Sequence, residues 1–184
     1  MVLMVLETEA LADEALPLAQ LAAHMRLAEG YAAIPGQDER LRQRLRAAIA
    51  TLERRLGKIL IAREVVLTGT IGDALKIGLP IAPVQAVVRV DVLHGGVATP
   101  LEGVRIEQGG VSPCLVLPRR VPSGASVHAT LLAGWGAWEA IPEPLAEAVL
   151  LTAEALDAGE DTVVGAMVAS LIAPFRLRRL GGVR

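Results

Sequence analysis

The residues in this sequence that could do chemistry do not form a recognisable catalytic or metal-binding set. The three histidines, His24, His94 and His128, fall in unrelated segments, and none belongs to a two-histidine helical metal motif. The single cysteine, Cys114, has alternating apolar neighbours that favour a packing role, and one cysteine forms neither an internal disulfide nor a cysteine metal cluster. We therefore expect no catalytic residue, no metal and no cofactor.

The glycine-rich segments lack the residues that would make them ligand-binding loops. Gly134-Trp135-Gly136 has no third glycine of a dinucleotide loop and comes before a proline-started helix. No Lys-Ser/Thr pair follows a glycine run to complete a phosphate loop, and no serine lies in a nucleophile-elbow context. These absences favour a structural or binding protein over an enzyme.

Charge is distributed in blocks although the formal net charge is only −2. Residues 39–64 hold eight basic and three acidic side chains, residues 139–161 hold seven acidic and no basic ones, and residues 174–184 hold four arginines and no acid. The blocks can pair within the fold or between neighbouring subunits, and the sequence leaves both open. The net charge gives no field that would attract nucleic acid, so we expect no tight or sequence-specific DNA binding.

The first ten residues do not have the pattern of a signal peptide. The first six residues are apolar, but no basic residue precedes them and acids follow at once, so we expect no signal peptide. No apolar run reaches the ~18 residues of a membrane span, so we expect no membrane contact. A single cysteine fits folding in a reducing, cytoplasmic environment.

The helices that could position a binding surface are marked by proline and by apolar spacing. Pro142 and Pro144 predict a helix start, and apolar residues then recur at steps of three and four through 143–157. The same spacing predicts helices near 8–30, 38–58 and 163–172, with Pro17 breaking or restarting the first. The clearest stripe, in 38–58, consists of Leu41, Leu45, Ala48, Ile49, Leu52 and Leu56.

Between 61 and 132 the period of the apolar residues changes to two, which predicts strands. Val84, Ala86, Val88, Val90 and Val92 give the longest alternation, and His94-Gly95-Gly96 follows as a hairpin turn. The glycines around Trp135 then mark the change from a strand region to a helical one.

Four stretches in order resemble the head–tail connector, or adaptor, family of long-tailed DNA phages and gene transfer agent particles. They are LPLAQLAAHMRL at 16–27 with ERRLGKIL at 53–60, LPIAPVQAV at 79–87, AGWG at 133–136 leading to IPEPL at 141–145, and LIAPFR at 171–176. The last is similar to the family's LLAPYR ending, while the glycine pair brackets Trp135 where the family usually has Tyr.

The resemblance implies a non-enzymatic subunit of a virion or phage-like particle, located at the head–tail interface. It implies an α+β fold in which a single connector domain, 1–184, is a small helical bundle with a β insertion at 61–132 and a basic C-terminal tail at 173–184. The subunits would form a homo-oligomeric ring, with a dodecamer as the natural expectation, beneath the portal protein. The ring would extend the DNA channel and dock the next connector or stopper protein.

Two sets of site residues follow from the resemblance and from the charge blocks. The family's C-terminal tail engages the portal, so the expected portal-binding residues are Ala173, Pro174, Phe175, Arg176, Arg178 and Arg179. The expected inter-subunit residues are Arg40, Arg44, Arg54, Arg55, Glu143, Glu147 and Glu154. Two simpler interpretations remain open, a solvated charged face on each helix and a Phe175 that folds back onto its own helices.

Two other functions stay open at this point. One is a different head-completion subunit of the same particle, such as a stopper or a tail terminator. The other is a small α+β enzyme, which the missing catalytic constellation disfavours. Copy number distinguishes a connector from an enzyme, because a connector forms a ring in assembled particles whereas an enzyme turns over a substrate as a monomer or small oligomer.

Overall fold

The computed structural model describes residues 3–28, 31, 34, 36–72, 75–109, 112–122, 124–159 and 163–176. Contacts between Cα atoms divide these residues into two compact units. Residues 3–10 and Gly57–Trp135 form a unit built from strands, which we name the β unit. Leu11–Leu56 and Gly136–Arg176 form the helical unit.

The helical unit contains four α-helices among its described residues. They are α1 (Leu18–His24), α2 (Gln37–Leu56), α3 (Glu143–Ala158) and α4 (Val163–Ile172). Single turns of 3-10 helix lie at Asp13–Ala15, Trp138–Ala140 and Ala173–Phe175. Helix α3 packs against α1, α2 and α4, so it is the centre of this unit.

Helix ends follow local chemistry. Pro142 precedes α3 with an extended backbone, and a further proline lies in the first turn, where N–H groups have no helical partner. Gly159 ends α3 in the left-handed conformation, with a φ of 74° that favours glycine. The apolar stripe predicted for α2 is buried, and Leu45, Ala48, Ile49 and Leu52 have no exposed surface.

The β unit contains eight strands among its described residues. They are β1 (Met4–Thr8), β2 (Arg63–Thr70), β3 (Lys76–Gly78), β4 (Val84–His94), β5 (Val97–Pro100), β6 (Arg105–Glu107), β7 (Cys114–Val116) and β8 (Ser126–Ala133). One antiparallel sheet has the order β1-β2-β8-β4-β5, and a second has the order β3-β7-β6. Buried side chains of both sheets, such as Leu67, Leu131 and Leu115, form one aliphatic cluster.

Strand β8 is the middle strand of the five-stranded sheet, and its burial alternates at every residue. Val127, Ala129, Leu131 and Ala133 point into the core with no exposed surface. Strand β4 behaves differently, because its pairing with β8 shifts register between Val84 and Ala86 and again between Val87 and Arg89. Each shift changes which face a side chain occupies, and Val88 is consequently 52% exposed.

The prediction of a small helical bundle with a β insertion is wrong. Two antiparallel sheets occur together with the helices, and the strands form a unit of their own rather than an insertion in a bundle. The predicted helix at 8–30 is too long, because Thr8 belongs to strand β1 and residues 9–17 contain only a 3-10 turn at Asp13–Ala15. Among the described residues of that range, only Leu18–His24 is α-helix, and it begins directly after Pro17, the residue predicted to break or restart the helix.

Candidate assembly surfaces

The basic side of α2 is joined to α3 by a carboxylate of the same chain. Arg40 donates from Nε to Oδ1 of Asp157 over 2.8 Å, and the Nε atom of Arg44 lies 3.6 Å from the same oxygen. The Asp157 side chain is 12% exposed, so two arginines from one helix face converge on a mostly buried acid. Part of the charge complementarity read from the sequence is therefore satisfied within the subunit.

A second ion network ties the N-terminal half of α2 to the preceding turn. Arg42 contacts Asp13, Asp38 and Glu39, and Arg46 contacts Asp13 and Glu39. Sequence reasoning missed the roles of both arginines. The spacing of Asp38 and Arg42 by four residues on one helix face is a signal that could have found their pair, whereas the contact with Asp13 depends on tertiary structure.

The other expected inter-subunit residues lie mostly on the surface. Arg54 and Arg55 are exposed on the last turn of α2, and Glu143 and Glu147 are exposed on the first two turns of α3. Glu154 differs, because its Oε2 atom lies 3.1 Å from Nε2 of His24 on α1. Arg40, Arg44 and Glu154 thus contact an ionisable partner in their own chain, whereas Arg54, among the described residues, donates only to the Thr51 hydroxyl on its own helix.

The C-terminal end of the described chain is a single 3-10 turn with accessible side chains. Ala173 and Pro174 are exposed, Phe175 is half-buried, and Arg176 is exposed. Arg178 and Arg179, the other two residues expected at the portal, lie outside the described residues. The half-buried position of Phe175 leaves part of its ring accessible to a partner.

The Gly134-Trp135-Gly136 segment has a structural role at the end of β8. Gly134 has a φ of 124°, which L side chains rarely adopt, and a Cβ placed there would lie 2.6 Å from the backbone of Ala62. Its N–H donates to the Pro83 carbonyl over 2.9 Å, and the Trp135 N–H donates to the Leu60 carbonyl over 3.0 Å. Only glycine permits this close approach of two backbone segments.

Trp135 and Trp138 are each held by a polar contact. The Lys58 ammonium lies 5.5 Å from the centroid of the Trp135 ring, and partial burial lowers the pKa of Lys58. The buried Trp138 donates from Nε1 to Oε1 of Gln20 over 2.6 Å in the helical unit. These contacts fix the aromatic rings within the fold.

The described residues bring together no set of side chains that suggests catalysis or metal binding. No three His, Cys, Asp or Glu residues cluster in a way that could hold a metal ion in this part of the chain. Cys114 is half-buried, with its Sγ atom 3.9 Å from the Ser112 carbonyl oxygen. None of the helices within the described ranges is both long and apolar enough to cross a membrane.

Solved structures of gene transfer agent (GTA) particles contain chains similar to this one over 99% of both chains. A chain in the neck of an empty GTA particle, computed with C6 symmetry, is 36% identical with a TM-score of 0.81. A chain in the virion of the native GTA particle is 35% identical with a TM-score of 0.79. A chain in the neck of the native particle, computed with C12 symmetry, is 33% identical with a TM-score of 0.75. No protein-family profile and no curated protein matches this sequence.

Proposed function

Because this chain belongs to the family of structural neck proteins of gene transfer agent particles, we propose that it is the adaptor subunit of that neck. Twelve copies form a ring beneath the portal, extend the DNA channel and dock the next connector. The observation that carries the proposal is the likeness over 99% of both chains to proteins of necks computed with C6 and C12 symmetry. The surface chemistry supports a role in assembly, because several expected contact residues are exposed.

Deletion of the gene in a producing strain tests this function. Heads should fill with DNA but carry the portal alone, and they should remain tailless or lose DNA. A stopper or tail-terminator role would instead leave an adaptor ring visible below the portal in the deletion particles. The unaltered gene supplied in trans should restore necks, which controls for effects on neighbouring genes.

We propose that the tail containing Phe175 and Arg176 binds the portal, together with Ala173, Pro174, Arg178 and Arg179. Aromatic residues and arginine are over-represented among interface hot spots, where truncation costs about 2 kcal/mol or more. Deleting residues 175–184 should leave the melting temperature of the isolated protein nearly unchanged and prevent its attachment to portal-bearing heads. A ring repeats the loss at every subunit, so lost avidity should enlarge it.

The result that contradicts tail binding is a truncated protein that melts at the usual temperature and still joins heads. A truncated protein that unfolds would place Phe175 in the core instead. The substitution Arg176→Ala provides the second variant, because an exposed arginine can be removed without opening a cavity. It should weaken attachment without changing the melting temperature.

We further propose that Arg54 and Arg55 face Glu143 and Glu147 of the adjacent subunit in the ring. All four side chains are exposed on helix surfaces, and within the described part of the chain Arg54 donates only to the Thr51 hydroxyl of its own helix, whereas Arg40, Arg44 and Glu154 contact ionisable partners in their own chain. Exposed pairs contribute only about 0–1 kcal/mol each, so Arg55→Glu alone should weaken ring assembly modestly. Adding Glu147→Arg should restore assembly, and an unchanged yield of necks in Arg55→Glu particles would argue against this contact.

A further inference from the structure

The five-stranded sheet of the β unit has two features that complement each other. At one edge, β1 pairs with β2 only and presents Met4, Val5 and Leu6 with exposed fractions of 64%, 45% and 59%. Three consecutive exposed apolar side chains on an edge strand form a surface that water solvates poorly and another chain can cover. We name Met4, Val5 and Leu6 the apolar edge.

Near the opposite edge, part of β4 lies open. Strand β5 pairs only with Asp91–His94 of β4, and the ladder continues as far as the Leu101 N–H, which donates to the Val90 carbonyl over 2.8 Å. Along residues 85–89 no described strand pairs with β4 on the β5 side. A groove beside this stretch is lined by Val87, Val88, Val90, Pro100, Leu101 and Val104, with Arg89, Glu102 and Gly103.

The groove therefore combines apolar walls with an open length of strand. Strand β1 has five residues and the open stretch of β4 has a similar length, so one could align with the other. Added strands of this kind gain affinity from main-chain hydrogen bonds and specificity from pockets for side chains. The apolar edge supplies the side chains that such a groove accepts.

Strand direction also fits addition of a second copy. The order β1-β2-β8-β4 is antiparallel at each step, so β1 and β4 run in opposite directions within one sheet. A neighbouring copy placed in the same orientation would bring its β1 antiparallel to β4, the commoner kind of pairing. Such a contact joins two different surfaces of the same chain, as a ring requires.

We infer that the apolar edge of one subunit occupies the β4 groove of the next subunit, so that the sheets join around the ring. The inference rests on the proposed ring and names the surfaces that close it. Its occupant is a second copy of this chain, because both complementary surfaces belong to one sheet and a head-to-tail contact buries both in every subunit. Sequence reasoning gave no sign of it, since the register shifts that expose Val88 are not visible in the alternation of β4.

Paired cysteines test this contact in whole particles. In a Cys114→Ser background, Met4→Cys, Val5→Cys or Leu6→Cys is each combined with Val88→Cys, and purified particles are oxidised and run on a non-reducing gel. At least one of the three pairs should give a ladder of covalent multimers extending beyond the trimer. Two single variants expressed together should give dimers at most, because each chain then carries only one half of the link.

Val97→Cys in place of Val88→Cys is the matched control. Both valines are exposed on the same hairpin, but Val97 does not line the groove, so its pairs should give no ladder. Intact necks in electron micrographs with no ladder from any pair overturn this contact and leave the proposed function standing. A double variant that stops at dimers, or a cross-link to a different protein, overturns it too. Particles that lack the chain altogether overturn both proposals.

Discussion

In the helical unit, charged side chains along α2 are joined in ion pairs, whereas in the β unit large apolar side chains face solvent. Arg40, Arg42, Arg44 and Arg46 all have acidic partners in their own unit. Among described residues, six of the eight exposed large hydrophobic side chains belong to the β unit: Met4, Val5, Leu6, Leu75, Val88 and Val97. The difference indicates that these four arginines hold the helices of their own unit together, while the β unit leaves large apolar side chains uncovered.

Surface ion pairs and buried apolar contacts differ in the free energy that they contribute. Ion pairs on a surface contribute about 0–1 kcal/mol each, and those of Arg40 and Arg44 with Asp157 orient α2 against α3. Apolar area removed from water contributes about 25 cal/mol per Å², so the exposed edge of a sheet is the stronger candidate for a permanent contact. We expect substitutions in the two units to separate stability from assembly accordingly.

The largest effect on stability is expected in the β unit at Gly134. Gly134→Ala would force a Cβ atom to 2.6 Å from the Ala62 backbone and hold alanine at a φ of 124°. Backbone strain of this kind costs about 1–3 kcal/mol before the steric clash is added, so the free energy of unfolding should fall by at least about 2 kcal/mol. Urea denaturation followed by circular dichroism measures the loss.

Gly72→Ala is the control for that substitution. A Cβ at Gly72 meets no atom within 4 Å and the backbone there needs no positive φ, so the free energy of unfolding should change by less than about 1 kcal/mol. If Gly134→Ala were as stable as Gly72→Ala, the close approach of the Gly134 and Ala62 backbones would be contradicted.

A smaller effect is expected at Asp157 in the helical unit. Asp157→Asn keeps the shape of the side chain and removes the charge that Arg40 and Arg44 approach. Hydrogen bonds to charged groups contribute about 1.5–3 kcal/mol, but a carboxylate near a helix C-terminus is unfavourable, so the net loss should be about 1 kcal/mol. Thermal unfolding at low and high salt measures it.

The control for Asp157→Asn is an exposed ion pair in the β unit, between Lys76 and Glu107. Lys76 and Glu107 approach to 2.7 Å, yet both side chains are more than half exposed, so Glu107→Gln should change stability by less than about 0.5 kcal/mol. Equal losses in the two variants would contradict the view that the helical unit depends on its ion pairs more than the β unit does.

The smallest effect concerns the pH dependence from Lys58. Burial lowers its pKa from the usual 10.5, so the folded protein binds this proton less tightly than the unfolded chain does. Burial of the protonated ammonium therefore lowers the free energy of unfolding at pH values below the lowered pKa. This destabilisation decreases as pH rises from there toward 10.5. Lys58→Met should therefore flatten the rise of stability with pH in that alkaline window, and urea titrations at several pH values measure the slope. Identical slopes would show that burial does not act on this ammonium.

Much of the helical unit was predictable from spacing, because α2 and α3 each bury one continuous stripe. The predicted helices at 38–58 and 143–157 correspond to the observed helices Gln37–Leu56 and Glu143–Ala158. The prediction extended too far at 8–30, where Ala-rich spacing favours a helix but Thr8 pairs with β2 and α1 begins only after Pro17, the predicted break. Local propensity was overridden there by contacts distant in sequence.

The assembly surfaces were less accessible to sequence reasoning. Opposite charge blocks indicate that α2 and α3 attract, but they do not say which acid meets Arg40 within the chain. Likewise, the open stretch of β4 arises from two register shifts and a short β5, and neither has a signature in the residue pattern. The portal role of the tail rests on the family resemblance and on a lone aromatic residue, Phe175, followed by arginines, and it stays a prediction.

The most direct test of the central claim is a cryo-electron microscopy reconstruction of the neck in particles from a producing strain. We expect density for both units of this chain, repeated twelve times in one ring that touches the portal, with the turn at Ala173–Phe175 on the portal side. A ring in the neck that makes no contact with the portal would contradict the adaptor role. Absence of the chain from the neck would contradict the central claim itself.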